Sequence, residues 1–331
     1  ASSSFRAGSS AANSTSLSEA TATADRDGSE AVGATTTTTT STRKFLSSSS
    51  GYSFQAGPEG GSASGQGANA TAAEGTAPGN ADAVKGVYVA PGSRADKFPE
   101  GSARILKALD AVSEDEVVLD VSSGHSAGQA HLRGAVSLPY RDFFYENGSL
   151  RHLPELASLL GRAGITERDE VMIYSDTFSS GEATAVLWAL TYLGHEQAKA
   201  LDGGLDNWIG ASLPLESLDA EPVQAAVYNA SPKRELLADY DYVMSGQPQL
   251  VDARSFQEWG ETKIGNATWI SVESVLAEGR LKAGEELKGT FARLEANRPV
   301  VVYSDNICEA SVVWFALQVM GYDARMYRWE E

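Results

Sequence analysis

What this chain has little of sets the first bounds. Its 331 residues include one cysteine, Cys308, which excludes an internal disulfide framework and any zinc cluster built on several thiolates. It has four histidines, His125, His131, His152 and His195, and their spacing follows no metal-ligand pattern, so neither a metal nor a cofactor is expected. No apolar run approaches the ~18 residues of a membrane-spanning helix; the longest surrounds Ala185 to Leu190. Basic residues are scarce, with 26 Lys and Arg against 44 Asp and Glu and a formal charge of −18. Such a charge repels phosphate backbones and anionic headgroups, which argues against nucleic-acid and membrane-surface partners.

The charge is unevenly placed. Residues 1–97 carry seven Lys or Arg and eight Asp or Glu, whereas the other 234 residues hold 19 and 36. This nearly neutral arm is dominated by Ser, Thr, Ala and Gly, with six threonines from Thr35 to Thr40 and four serines from Ser47 to Ser50. Two readings stand open. Such a composition buries too little apolar surface to offset chain entropy, which describes a disordered linker. Alternatively, the stretches Ser14 to Ala24 and Glu30 to Leu46 flank Asp25-Arg26-Asp27-Gly28, a hairpin-turn signal, and their threonines suit strands added to another subunit's sheet. The chain begins at Ala1, which fits an exported, processed product or a trimmed chain. In an exported protein the Asn-X-Ser/Thr triplets at Asn13, Asn69, Asn147, Asn229 and Asn266 are glycan acceptor candidates.

Beyond the arm, one pattern occurs twice. A buried-strand run ends on an aspartate in both copies, Val117-Val118-Leu119-Asp120 and Leu250-Val251-Asp252. A second run follows, Val171-Met172-Ile173-Tyr174-Ser175-Asp176 in one copy and Val300-Val301-Val302-Tyr303-Ser304-Asp305 in the other. Each leads into an amphipathic helix, the first through Ala185, Trp188, Ala189 and Tyr192, the second through Val313, Trp314, Leu317 and Met320, and each helix closes on glycine, Gly194 or Gly321. Continuous Val/Ile/Leu strands alternating with helices predict an α/β fold with a parallel sheet covered by helices on both faces. The expected division is an arm at 1–97, a first domain at 98–217 and a second at 218–331, with Trp188, Trp208 and Trp314 as core residues. The acidic clusters Ser113-Glu114-Asp115-Glu116 and Asp239-Tyr240-Asp241-Tyr242 lack EF-hand spacing and read as solvated surface.

These residues resemble the rhodanese-like (thiosulfate sulfurtransferase) family in its tandem two-domain form. Asp252-Ala253-Arg254-Ser255-Phe256-Gln257-Glu258-Trp259 is similar to the family's Asp-x-Arg opening, and Ile264-Gly265-Asn266-Ala267 stands where a Gly-His-Ile-Pro-Gly-Ala segment is usual. In the first copy that place holds His131-Leu132-Arg133-Gly134-Ala135, and Leu201-Asp202-Gly203-Gly204 to Trp208 resembles the Leu-x-Gly-Gly element. The resemblance implies two tandem rhodanese-like domains. It also implies a nucleophilic cysteine directly after the Val-Val-Tyr strand, where this chain has Ser175 and Ser304. Serine carries no transferable persulfide and needs a base to ionise near neutral pH. The loops offer Asp305 and Glu309 and no Lys or Arg, unlike a cradle for an anionic sulfur donor.

Cys308 is the remaining thiol, expected in the first turn of the second helix; it reads as a small buried hydrophobe, a displaced nucleophile or a cross-link to another chain. The second copy lacks the family's closing glycines and helix after Tyr327, which predicts an apolar sheet face left open. Together these features lead to the expectation of an exported, catalytically degenerate protein, leaning away from enzyme, that self-assembles through its arm into an extracellular fibre, tube or sheath. The alternatives are a thiosulfate sulfurtransferase or sulfur-relay protein that uses Cys308, and a module that binds a small ligand without turning it over.

Overall fold

The structure, a computed structural model, describes residues 94–113, 116–123, 130–217 and 224–328. The strand candidates of the arm, Asn13, Asn69 and His125 lie outside the described residues.

In chain order the first repeat contributes β1 (Leu106–Lys107), β2 (Val117–Asp120), β3 (Ala130–Leu132), β4 (Val136–Ser137), α1 (Leu153–Arg162), β5 (Val171–Tyr174), α2 (Glu182–Tyr192), β6 (Ala198–Leu201), α3 (Leu205–Gly210) and β7 (Leu215–Ser217). The second contributes α4 (Tyr240–Met244), β8 (Gln249–Asp252), α5 (Phe256–Glu261), β9 (Thr268–Trp269), α6 (Val272–Val275), β10 (Leu276–Ala277), β11 (Arg280–Leu281), α7 (Gly284–Thr290), β12 (Val300–Ser304), α8 (Ile307–Val319) and β13 (Ala324–Arg328).

The fold is α/β, as the alternating pattern predicts. One parallel sheet runs β1-β6-β5-β2-β4 and the other β13-β12-β8-β9. Every residue of β5 and of β12 is buried, because helices cover both faces and leave no polar side for alternation. The repeat is exact enough in register that β2 pairs β5 with Asp120 opposite Tyr174, while β8 pairs β12 with Asp252 opposite Tyr303.

One expectation about the helices is corrected. The helices α2 and α8 are not amphipathic: all residues from Ala183 to Leu190 are buried, as are Ala310 to Leu317. Each helix lies against its own sheet on one side and against the other helix on the opposite side, so no face is left for water. The rings of Phe178 and Phe315 meet there at 5.7 Å, and the buried hydroxyls of Thr184 and Ser311 pair at 2.8 Å. On the sheet face of the second repeat expected to stand open, Val301 is covered by Ala238 and Val243, while Leu250, Ile264 and Tyr327 around it are only partly buried.

Both helices end on their expected glycines, and Gly194 shows why: its φ is +88°, and an added Cβ would fall 2.3 Å from the Ser231 carbonyl oxygen. Trp188, Trp208 and Trp314 are buried, at 2%, 7% and 1% exposure, in line with their core assignment. Glu116 corrects the reading of its cluster as solvated surface. It is buried, bonds Lys107 Nζ at 2.8 Å and accepts from the Ser113 amide at 2.6 Å. Asp239 has another task, capping α4 by accepting from the Tyr242 amide at 2.8 Å.

Candidate functional site

At the carboxyl ends of β5 and β12 the chain turns from strand to helix, and the two serines stand at those turns. Ser175 is fully buried and donates to the Thr177 carbonyl at 3.0 Å. Ser304 is 3% exposed, donates to Glu309 Oε2 at 2.9 Å and accepts from the Asn306 amide at 3.1 Å. Burial holds the Glu309 carboxyl above its ordinary range, opposed by the Ser304 hydroxyl and reinforced by Asp305, Glu258 and Glu273. The turn of the second repeat is thus rich in carboxylates, as the sequence predicts, and the Ser304 hydroxyl is engaged with one of them.

Beneath both turns the repeats share one scaffold. In the first, Asp120 Oδ1 accepts from the Ser122 amide and hydroxyl at 3.0 and 2.6 Å, and Oδ2 meets His131 Nδ1 at 2.6 Å and the Tyr174 hydroxyl at 3.0 Å. In the second, Asp252 Oδ1 accepts from Arg254 N and Nε at 3.1 and 3.0 Å, and Oδ2 accepts from an Arg254 terminal nitrogen at 2.7 Å and the Tyr303 hydroxyl at 2.8 Å. The same Asp–Tyr pair therefore takes histidine as its third member in one repeat and arginine in the other. These bonds tie β2 to β5 and β8 to β12, the strands that lead into the serine turns.

Cys308 lies in the first turn of α8, as expected, where the Asn306 side chain caps the helix by accepting from the Cys308 amide at 3.0 Å. The residue is half-buried, and Tyr140 of the first repeat is the neighbour that favours its ionised form. Burial pushes the thiol up to about 12; Tyr140 pulls the other way, while Glu182 and Glu309 raise it further. The Tyr140 hydroxyl is itself raised, first by burial and then by Cys308. Tyr140, Gly181 and Glu182 belong to the first repeat, so the only thiol of the chain sits where the two repeats meet. Sequence reasoning misses these three residues because nothing along the chain pairs residue 140 or 181 with residue 308.

Gly181 is the tightest point of that contact. Its φ is +75°, and a Cβ there would lie 2.5 Å from the Cys308 carbonyl oxygen and 2.8 Å from Cys308 Cβ. Gly181→Ala is expected to destabilise the protein by about 3 kcal/mol, combining a disfavoured left-handed conformation with a backbone clash. Urea unfolding of the two proteins measures it. A loss below about 0.5 kcal/mol would mean that the helices part easily.

A second link between repeats is ionic. Asp202, at the end of β6, is 1% exposed and receives Arg280 of the β10–β11 hairpin through its backbone carbonyl at 2.9 Å and Oδ2 at 2.7 Å. Arg94 adds a contact at 3.3 Å. Burial raises the Asp202 carboxyl, and the two arginines offset part of that rise.

The remaining sequence candidates are dispersed. His131 is in the Asp120 network; His195 stacks on Tyr228 and bonds the Asp169 carbonyl at 2.8 Å; His152 precedes α1. Among the described residues no three His, Cys, Asp or Glu side chains form a group able to hold a metal ion, and no helix is long and apolar enough to cross a membrane. Asn147, Asn229 and Asn266 are exposed.

Comparison with known proteins agrees with this architecture. The family described as Rhodanese-like domain matches residues 103–211 and 236–329, one match for each repeat. The chain belongs to the rhodanese-like domain family and carries that domain in two tandem copies. A protein of Mycobacterium tuberculosis named as thiosulfate sulfurtransferase SseB is 30% identical over 257 residues, spanning 69% of this chain and 90% of its own. The sulfur carrier protein TtuD of Thermus thermophilus is 26% identical over 241 residues, spanning 63% of this chain and 81% of its own. The crystal structure of SseA from Escherichia coli, a 3-mercaptopyruvate sulfotransferase, covers 68% of this chain and 99% of its own with a TM-score of 0.60 at 21% identity, which places the fold.

These relatives overturn the expectation of an extracellular structural subunit. Their names are those of sulfur-transferring and sulfur-carrying proteins, and none is that of a fibre, tube or sheath protein. The alternative built on sulfur transfer and Cys308 agrees with them better.

Proposed function

We propose that this protein moves sulfane sulfur, as a thiosulfate sulfurtransferase or sulfur-relay protein, with Cys308 as the atom that carries it. The observation that supports this reading is the position of the sole thiol: Cys308 lies four residues beyond the strand-end Ser304, in the helix turn where the repeats meet. Serine takes the family's cysteine position in both repeats on this reading, so a persulfide on this chain has one place to form.

The step balances without an outside oxidant. The Cys308 thiolate attacks the outer sulfur of thiosulfate, the sulfur–sulfur bond breaks, and sulfite leaves with the bonding electrons, giving a Cys308 persulfide. An acceptor nucleophile, cyanide in the usual assay, then takes the terminal sulfur and returns the thiolate. Tyr140 is placed to donate to the thiolate, whereas Glu182 and Glu309 oppose its formation and the approach of an anion. The chemistry is therefore slow near neutral pH and depends on the small ionised fraction. Assembly through residues 1–97 has no part in this reading; the domain boundary is taken at 217/218.

A thiosulfate:cyanide assay on the wild type and Cys308→Ala tests it. Thiocyanate production that disappears in the variant is the expected result. Equal background rates in both would overturn the proposal and favour the second reading, a domain pair that holds a ligand without turnover, which the two serines and the protonated thiol support.

A further inference from the structure

A cavity of about 510 Å³ has none of Ser175, Ser304 and Cys308 in its lining, although Ile307, the neighbour of Cys308, borders it. The first repeat supplies the segment from Gly148 to Leu153 together with Trp188 and Tyr192 of α2; the second supplies Leu237, Ala238, Ile307 and the end of β13. Its walls are mainly apolar side chains. Its charged groups are of one sign. In a chain of charge −18, the lining holds Arg151, Arg328 and His152 and, among the described residues, no carboxylate.

Two of the lining side chains have donors left over. Trp188 is 2% exposed, and its indole Nε1 finds no protein acceptor among the described residues; the same holds for the buried Nε of Arg151. A buried donor without an acceptor costs roughly 1–3 kcal/mol, and both such atoms in the described chain belong to residues of this one cavity. The Arg151 side chain is held in place, its guanidinium 5.0 Å above the Tyr145 ring. It also borders a neighbouring depression containing Asp142 and Glu155, where Glu155 already accepts from the Tyr145 hydroxyl at 2.7 Å. Arg328 closes the other side by donating to the Asn147 carbonyl at 2.6 Å, which bridges the two repeats at the cavity rim.

We infer that this cavity binds a small carboxylate with an apolar body, of the size of an arylacetate. The carboxylate accepts from Arg151 Nε and Trp188 Nε1, and the body packs on Tyr192, Leu153, Leu237 and Ile307. An anion is favoured over a neutral or cationic molecule because the charged groups of the described lining are cationic and its buried unpaired groups are donors. The inference does not depend on sulfur transfer, since the site shares no residue with that chemistry.

Isothermal titration of the full chain with phenylacetate tests it, with phenylacetamide and phenethylammonium as controls. Saturable binding at one site per chain is expected. Arg151→Gln and Trp188→Phe, the latter keeping an aromatic ring while removing the N–H, are each expected to weaken it about tenfold or more. Cys308→Ala is expected to bind as the wild type does, which separates this site from the thiol even if no sulfur transfer is found. Absence of binding at millimolar phenylacetate, equal affinity for phenethylammonium, or unchanged affinity in Arg151→Gln would overturn the inference. The Arg151→Gln comparison decides the matter should Trp188→Phe fail to fold.

Discussion

Thiosulfate:cyanide activity of the wild type is expected to rise about 100-fold between pH 7 and pH 9, close to tenfold per unit, because the nucleophile is the thiolate of a group far from its midpoint. With the thiol pushed up to about 12, only about one molecule in 10⁴ is ionised at pH 8. A thiol near its ordinary value would instead flatten toward pH 9. The direction follows from the surroundings: burial disfavours the charged sulfur, and Glu182 and Glu309 add repulsion. Glu182→Gln and Glu309→Gln should therefore each raise the rate at pH 8, while Tyr140→Phe, which removes the one group favouring the thiolate, should lower it. The window ends near pH 9 for a thermodynamic reason. A thiol near 9 in the unfolded chain and about 12 in the folded one loses its proton first when unfolded, so stability falls by about 1.4 kcal/mol per pH unit above 9. Below pH 9 both states keep the proton and the thiol has no effect on stability. A rate that stays flat from pH 7 to pH 9 would contradict the placement of the thiol in a buried, acidic contact.

Asp252→Ala is expected to destabilise the fold by about 3–5 kcal/mol. Arg254 is 3% exposed and Asp252 fully buried, so removing the carboxylate takes this counter-charge from a buried guanidinium that keeps its 2.6 Å bond to the Thr262 carbonyl, and removes the 2.8 Å acceptor of the Tyr303 hydroxyl. The penalty is larger than the net worth of the ion pair, because the remaining charge stays desolvated. The double variant Asp252→Ala/Arg254→Met should recover part of the loss, since both charges are then gone and the space is refilled with apolar atoms. Chemical unfolding of the single and double variants measures the difference. A single variant within 1 kcal/mol of wild type would mean that Arg254 reaches water. The corresponding change in the first repeat, Asp120→Ala, breaks contacts to Ser122, His131 and Tyr174.

Much of the architecture is legible along the chain. The runs Val117 to Asp120, Val171 to Tyr174, Leu250 to Asp252 and Val300 to Ser304 become the central strands with little shift at their ends, because buried parallel strands need uninterrupted apolar side chains. The helix-ending glycines and the tandem repeat are equally plain. What the chain does not disclose is what only packing creates. Periodicity treats α2 and α8 as one-sided, yet each is enclosed by its own sheet and by the other helix. Glu116 looks like part of a solvated acidic run and is instead buried against Lys107. The His131–Asp120 and Arg254–Asp252 pairs occupy equivalent places with different residue types, so residue matching alone does not align them.

The position of Cys308 on α8 is readable from spacing; its partners Tyr140 and Gly181 are not. The functional expectation failed for a related reason. Strand-prone threonines in an arm carry no information about what the arm touches, and the serines at 175 and 304 describe a lost position without saying whether another thiol serves. Family membership, and relatives named for sulfur transfer and sulfur carriage, turn the reading toward the single thiol.

Intact-mass analysis of the protein after incubation with thiosulfate, followed by peptide mapping, tests that reading most directly. The account predicts a mass increase of one sulfur atom, located on the peptide containing Cys308, formed faster at pH 9 than at pH 7, removed by cyanide and absent from Cys308→Ala. A wild-type chain that keeps its mass unchanged under those conditions would contradict it.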